Sequence, residues 1–115
     1  IEQKCYAEVL RDLPLVIEVE TPKGLAVIIH AEVPYGDYNK FKNFLHLESE
    51  HENMIATATW ARTKAKTRNE DVIPGCYKVY AGHTPRMEGV VIQGNMHYID
   101  QGACFGGELT VVRIE

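Results

Sequence analysis

The segment Leu25-Ala26-Val27-Ile28-Ile29 restricts the possible folds more than any other, because every residue in it is apolar. A strand with one face in water alternates apolar and polar residues, whereas an unbroken apolar run is typical of a central strand covered on both faces. Residues 15–20 do alternate, and the turn residues Thr21-Pro22-Lys23-Gly24 separate them from the apolar segment. We therefore expect a hairpin whose second strand lies at the centre of a sheet.

The rest of the chain predicts further strands around a helical middle section. Residues 3–12 show modest helical periodicity, and residues 38–66 lack alternation, carry many charges and predict two short helices. Further strands are predicted at residues 77–81, 90–93, 96–99 and 108–115. Gly94-Asn95 suits a two-residue turn between two of them. The predicted fold class is α/β, a mixed β-sheet with a helical insertion in the middle.

The composition places the chain among ordinary globular proteins. It has 115 residues, 45% of them hydrophobic, and a net charge of −4, without a basic stripe interleaved with aromatic residues. These values argue against nucleic acid and against a membrane as partners. Three cysteines without C-x-x-C spacing indicate reduced thiols in a cytoplasmic protein. The first residue is isoleucine rather than methionine, which hints at truncation or processing.

Two histidines stand directly after predicted apolar strands. His30 follows the apolar segment, and His83 follows Lys78-Val79-Tyr80-Ala81-Gly82. Ligands of open α/β sheets gather beyond the carboxyl ends of strands, so the two imidazoles could bind a metal ion at one sheet edge. The alternative is that both are core histidines whose ring nitrogens bond to the backbone.

Two further residues are candidates for the same chemistry. Arg62 lies in the helical section, and its planar guanidinium suits a phosphate group, although it could equally be a solvated helix charge. Asp100 ends a predicted strand before a loop rich in glycine. It could orient a catalytic group, or it could simply cap a turn.

Four motifs in order resemble the carboxyl-terminal half of the serine/threonine phosphoprotein phosphatases of the bacterial and lambda-phage type. They are Val27-Ile28-Ile29-His30-Ala31-Glu32-Val33-Pro34, Trp60-Ala61-Arg62, Ala81-Gly82-His83-Thr84-Pro85 and Ile99-Asp100-Gln101-Gly102-Ala103. The resemblance spans nearly the whole chain. Gln101 departs from it, since this family usually has threonine there, but the preceding Asp100 is kept.

The resemblance implies a fold and a set of roles. Residues 1–115 would be the carboxyl-terminal portion of a calcineurin-like metallophosphoesterase domain, a two-sheet sandwich that holds two divalent ions, with Mn²⁺ expected. His30 and His83 would be ligands of the second ion, Arg62 would contact the phosphoryl group, and Asp100 would orient a histidine. The parent enzyme would hydrolyse phosphorylated proteins or small phosphomonoesters with a water that bridges the two ions.

Three amino-terminal motifs of that family do not occur in the chain. They are Asp-x-His, Gly-Asp-x-x-Asp-Arg-Gly and Gly-Asn-His-Glu, which supply the other ion and the general acid. Gly36-Asp37-Tyr38-Asn39-Lys40 and Gly94-Asn95-Met96-His97 fail to match them. We therefore expect the isolated chain to be inactive. The alternatives are a non-catalytic remnant that binds a partner or one metal weakly, and an α/β domain with structural histidines.

Half a sandwich leaves apolar surface uncovered, so we also expect self-association or pairing with a missing amino-terminal segment.

Overall fold

Three parallel strands form the centre of the sheet in the computed structural model, which describes residues 2–115. They are β2 (Gly24–Ile29), β3 (Lys78–Ala81) and β5 (Met96–Tyr98). The antiparallel strands β1 (Val16–Thr21) and β4 (Val91–Gln93) form the two edges, so the strand order is β1-β2-β3-β5-β4. The predicted mixed sheet and both predicted hairpins are confirmed.

The helical insertion lies between β2 and β3, as predicted, but it contains one more helix than expected. It consists of α2 (Tyr38–Asn43), α3 (His51–Trp60) and α4 (Thr63–Thr67). The predicted amino-terminal helix is α1 (Glu2–Arg11). Single 3-10 turns occupy Pro34–Gly36, Glu48–Glu50 and Ala103–Phe105. The mixed α/β class is therefore confirmed, with one five-stranded sheet in the described part of the chain.

The helices of the insertion cover one face of the sheet, which we call the core face. Its strand residues alternate with those of the opposite face, as the strand period requires. Together with helix residues they form the main hydrophobic cluster, which includes Val27, Ile29, Val79, Ala81, Met96 and Tyr98 from the strands and Tyr38, Phe41, Met54, Ala58 and Ala65 from the helices. This cluster stabilises the sheet, and the candidate site lies at the ends of its strands.

The opposite side, which we call the outer face, is crossed by an irregular carboxyl-terminal segment. The strand register aligns its side chains in one row: Ile17, Ile28, Tyr80, His97 and Ile92. The Tyr80 hydroxyl donates to the Arg113 carbonyl at 3.4 Å, and the Lys78 ammonium donates to the Glu115 carbonyl at 3.1 Å. His97 lies half-buried on the interior strand β5.

The prediction of a final strand at residues 108–115 is wrong. Only Glu108 makes isolated bridges, to Gln101 and Gly102, and the remaining residues are irregular. The alternation of residues 109–114 is real, but Leu109 and Val111 remain 81% and 88% exposed. A strand needs a neighbour that accepts its backbone hydrogen bonds, and the described residues offer this segment none beyond Glu108.

The turn between β4 and β5 depends on glycine. Gly94 has a φ of 60°, and a Cβ atom there would lie 2.6 Å from the Glu70 carbonyl oxygen. Both the positive φ and the close approach exclude a larger residue. None of the helices in residues 2–115 has the length and apolar character needed to span a membrane.

Candidate functional site

Three candidate residues lie together because the strands that precede them are parallel neighbours. His30 follows β2, His83 follows β3 after one glycine, and Asp100 follows β5. The carboxyl ends of β2, β3 and β5 meet at one edge of the sheet, where α/β proteins bind ligands. The parallel order thus brings to one place residues that are as many as 70 positions apart (100 − 30) in the sequence.

The two imidazoles are in direct contact. The Nε2 atom of His30 lies 3.1 Å from the Nδ1 atom of His83, and the ring centroids are 4.8 Å apart. Two nitrogens that bind one ion at right angles, each at about 2.1 Å, are separated by about 3.0 Å. The pair therefore fits two adjacent ligands of a single divalent ion.

The other nitrogen of His83 decides which tautomer this histidine adopts. Its Nε2 atom lies 3.1 Å from the Trp60 carbonyl oxygen, and a carbonyl can only accept, so Nε2 carries the proton and donates it. Nδ1 then presents a lone pair toward His30. The Trp60 ring packs edge-on against the imidazole with centroids 5.6 Å apart, which also fixes the ring orientation. This arrangement is typical of a metal-binding histidine held from behind by a backbone carbonyl.

The backbone at His83 adopts a strained conformation. Its φ is 64°, in the left-handed region, and the Thr84 N–H donates to the Gly82 carbonyl across it at 2.7 Å. A positive φ in a tight three-residue turn is costly for a residue with a side chain. The Gly82 N–H in turn donates to the His30 carbonyl at 2.9 Å, which joins the two histidine-bearing loops. Such strain is common at functional sites and turns the ring toward His30.

The electrostatic surroundings favour a neutral His30. Burial lowers the pKa of the His30 imidazole, the neighbouring His83 lowers it further, and the Asp100 carboxylate opposes both effects. At neutral pH the ring is therefore uncharged, which is the form that can bind a metal ion.

Asp100 has the turn-capping contacts that were one of its two expected roles. Its Oδ1 atom accepts from the Gly102 N–H at 2.9 Å, and its backbone carbonyl accepts from the Arg86 N–H at 2.7 Å. The carboxylate lines the same cavity as the His30 ring and opposes the lowering of the His30 pKa.

Arg62 lies at the junction of α3 and α4, beside the histidines. Its Nη2 atom donates to the His83 carbonyl at 3.3 Å, and its side chain is exposed to solvent. An open cavity of about 560 Å³ is lined by His30, Arg62, Lys66, His83, Thr84, Pro85, Asp100, Cys104 and Phe105. Two cationic side chains, Arg62 and Lys66, thus face the histidine pair across a space large enough for a phosphoryl group.

The described residues do not complete a metal centre. In residues 2–115 no group of three or more histidine, cysteine, aspartate or glutamate residues is arranged to hold a metal ion. His30 and His83 fit two positions of a coordination shell, and the remaining ligands of a stable site must come from elsewhere.

Sequence reasoning missed three buried polar residues behind the site. Glu32, Arg86 and Gln93 are 8%, 5% and 2% exposed, and all three bond to the backbone of α4, the helix that follows Arg62. Charged residues are rarely buried, so composition and periodicity gave no reason to select them. Glu32 and Arg86 follow the two histidines by two and three residues, which was their only signal, and Gln93 had none.

Comparison with known proteins identifies the relationship. No protein-family model matches the chain. The chain is 34% identical over 104 residues to "Serine/threonine-protein phosphatase 1" of Salmonella typhimurium strain LT2. The match covers 90% of this chain and 43% of the Salmonella protein, so the chain spans less than half the length of this phosphatase relative. The predicted relationship, based on the ordered motifs, is confirmed.

Proposed function

We propose that the chain is the carboxyl-terminal portion of a calcineurin-like metallophosphoesterase domain. The parent enzyme would hydrolyse phosphoserine and phosphothreonine monoesters, in proteins or in small molecules, with two divalent ions, Mn²⁺ being the expected metal. His30 and His83 would bind one of the ions, and Arg62 would bind the phosphoryl group. The phosphatase relative supports this proposal, since it matches 90% of the chain.

The contact between the two histidines carries the proposal. At 3.1 Å the two rings can also share an N–H···N hydrogen bond, but such a bond alone gives no reason for the φ of 64° at His83. Metal ligation explains both features, because it requires two lone pairs directed at one point. It also explains the Trp60 carbonyl behind the His83 ring.

Each residue contributes a separate part of the chemistry. A divalent ion held by the histidines would supply Lewis-acid stabilisation of negative charge on a phosphoryl group. The Arg62 guanidinium would orient that group through paired charge-assisted hydrogen bonds. Lys66, on the same cavity wall, would add a second positive charge. Asp100 would hold the loop after β5 in place through its bond to the Gly102 N–H.

A Mn²⁺ titration followed by NMR tests the metal site. We expect paramagnetic broadening that begins at the His30 and His83 rings and is lost in the His30→Ala variant. His46→Ala is the matched control, because His46 is an exposed histidine outside the site, and its removal should leave the broadening unchanged. Equal broadening in the His30→Ala variant and the wild-type chain would overturn the assignment.

The incomplete ligand set favours an inactive isolated chain, and also supports a second candidate function, weak metal or partner binding without catalysis. We expect no hydrolysis of p-nitrophenyl phosphate by the chain with Mn²⁺ above the metal-only blank. Robust turnover would contradict this. Mixing the chain with the part of the Salmonella protein that it does not match then separates the candidates. Restored turnover supports a catalytic parent, and continued inactivity with intact metal binding supports the second candidate.

We further propose that the outer face associates with another protein surface, either a second copy or a separate amino-terminal segment of the domain. Ile17 and Ile92 are 46% and 57% exposed on this face. These two side chains lie on the opposite edge strands β1 and β4, and exposed apolar edges of a sheet favour association. A strictly monomeric chain in light scattering would count against self-association.

A further inference from the structure

The helix α4 is held in place by side chains from outside its own segment. It has only five residues, Thr63–Thr67, and a helix of that length has little stability by itself. Arg62 is its N-cap residue, but the Arg62 side chain makes no cap hydrogen bond to it. The position of α4, and of Arg62 with it, therefore depends on other parts of the molecule.

Glu32 satisfies the amino-terminal end of the helix. Its Oε1 atom accepts from the backbone N–H groups of Lys64 at 2.7 Å and Ala65 at 3.2 Å. These are orphan donors of the first helical turn, which a cap residue usually satisfies. A buried carboxylate at this end is also favoured by the helix dipole.

Arg86 and Gln93 bind carbonyl groups of the same helix and of Asn69, which follows it. The Arg86 Nη2 atom donates to the Ala65 carbonyl at 2.8 Å and to the Gln93 side-chain oxygen at 2.5 Å. The Gln93 amide donates to the Lys64 carbonyl at 3.0 Å and to the Asn69 carbonyl at 2.8 Å. Both side chains are buried, so the loss of either would leave backbone acceptors unsatisfied.

Two of the three anchors of α4 lie on the loops that carry the histidines, and the third, Gln93, ends β4. Glu32 is two residues after His30, and Arg86 is three residues after His83. We propose that Glu32, Arg86 and Gln93 are positioning residues that hold α4 so that the Arg62 guanidinium faces the histidine pair. The phosphate-binding part of this inference rests on the proposed function, whereas the position of Arg62 does not.

The Gln93→Met variant tests the proposal, because methionine keeps the length of the side chain and removes all three hydrogen bonds. We expect faster hydrogen exchange at the Lys66 N–H, which donates to the Arg62 carbonyl at 2.8 Å, and loss of the nuclear Overhauser contacts between Arg62 and His83. Affinity for inorganic phosphate, followed at the Arg62 side-chain signal, should fall about tenfold. The affinity for Zn²⁺, followed at the ring signals of His30 and His83, should stay within about twofold of the wild-type value. A general loss of stability would weaken the binding of both ligands, whereas a displaced Arg62 weakens only the binding of phosphate.

Asn95→Leu is the matched control. Asn95 lies on the same hairpin and also bonds to backbone through its amide, but to Ile73 and Cys76 rather than to α4. The Asn95→Leu variant should be less stable than the wild-type chain, but its Arg62 should keep its contacts with His83. If Gln93→Met does not fold, Glu32→Ala and Glu32→Gln replace it. Only the alanine variant should release Arg62, since glutamine keeps the acceptor oxygen.

The outcomes separate the inference from the proposed function. Unchanged exchange and unchanged Arg62 contacts in the Gln93→Met variant would overturn the inference, as would equal displacement of Arg62 in the Asn95→Leu control. If the wild-type chain binds neither phosphate nor Zn²⁺, the proposed function fails, while the exchange and contact measurements still decide whether these residues position Arg62.

Discussion

The two faces of the sheet differ in what covers them, although the same strands supply both. On the core face, Val79 and Met96 are completely buried beneath helices. On the outer face, the edge residues Ile17 and Ile92 stay 46% and 57% exposed beside an irregular segment. The core face therefore stabilises the fold, whereas the outer face leaves apolar side chains accessible to another protein surface. The candidate site lies at the carboxyl edge of the strands, where it depends on the first face and is open to solvent.

Truncation of a core side chain should give the largest effect. Met54 on α3 is 2% exposed within the main cluster, so Met54→Ala should lower the free energy of unfolding by about 2–5 kcal/mol. Ile92→Ala on the outer face removes a side chain that is 57% exposed and should cost less than about 1 kcal/mol. Urea denaturation followed by circular dichroism measures both values. Equal losses would show that the outer face is as tightly packed as the core face.

Charges on the outer face should suppress association. The double variant Ile17→Lys, Ile92→Lys places one ammonium group on each edge strand of the outer face, and we expect light scattering to show a smaller average mass than for the wild-type chain. Ile55→Lys is the control, since Ile55 is 52% exposed on α3, away from this face. An equal decrease in the control would mean that association does not use the outer face.

The outer face should also contribute a pH dependence through His97. Burial lowers the pKa of this imidazole, and the Lys78 ammonium lowers it further. Below about pH 6.5 the unfolded chain takes up a proton that the folded chain resists, so the free energy of unfolding falls as the pH decreases toward the folded-state pKa.

Replacement of His97 tests this sign. His97→Gln should lose less stability than the wild-type chain between about pH 7.5 and about pH 5.5. Some pH dependence of the stability should remain, because burial also lowers the pKa of His30. This shift changes the free energy of unfolding in the same direction. His46→Gln replaces an exposed histidine and serves as the control. A steeper pH dependence in His97→Gln than in the wild-type chain would show that the sign is wrong.

The sequence predicted the elements better than it predicted their surroundings. The apolar run at β2 and the turn at Gly94-Asn95 carry local signals, and both elements formed as expected. The alternation of residues 108–115 is a signal of the same kind, but a strand also needs a neighbour, which local pattern does not reveal. Helix α4 is the opposite case. Its few residues gave only a weak helical pattern in the sequence, and side chains distant in the sequence set its position.

The candidate site shows the same division. The positions of His30 and His83 after apolar strands predicted that they would meet, because parallel strands end at a common edge. The anchors Glu32, Arg86 and Gln93 could not be recognised, because nothing in the sequence indicates that a particular glutamate or arginine is buried. Long-range burial of polar groups is thus the part of this site that only the structure reveals.

Two buried tyrosines give the finest test of the core face. The Tyr38 hydroxyl donates to the Glu18 carboxylate at 2.6 Å, so Tyr38→Phe should lower the free energy of unfolding by about 1–2 kcal/mol. The Tyr98 hydroxyl is buried and has no hydrogen-bond partner among residues 2–115, so Tyr98→Phe removes an unsatisfied group. Stability should stay unchanged or rise by up to about 1 kcal/mol in urea denaturation. A loss as large as that of Tyr38→Phe would mean that an ordered water satisfies this hydroxyl, and that the core face is less dry than its packing indicates.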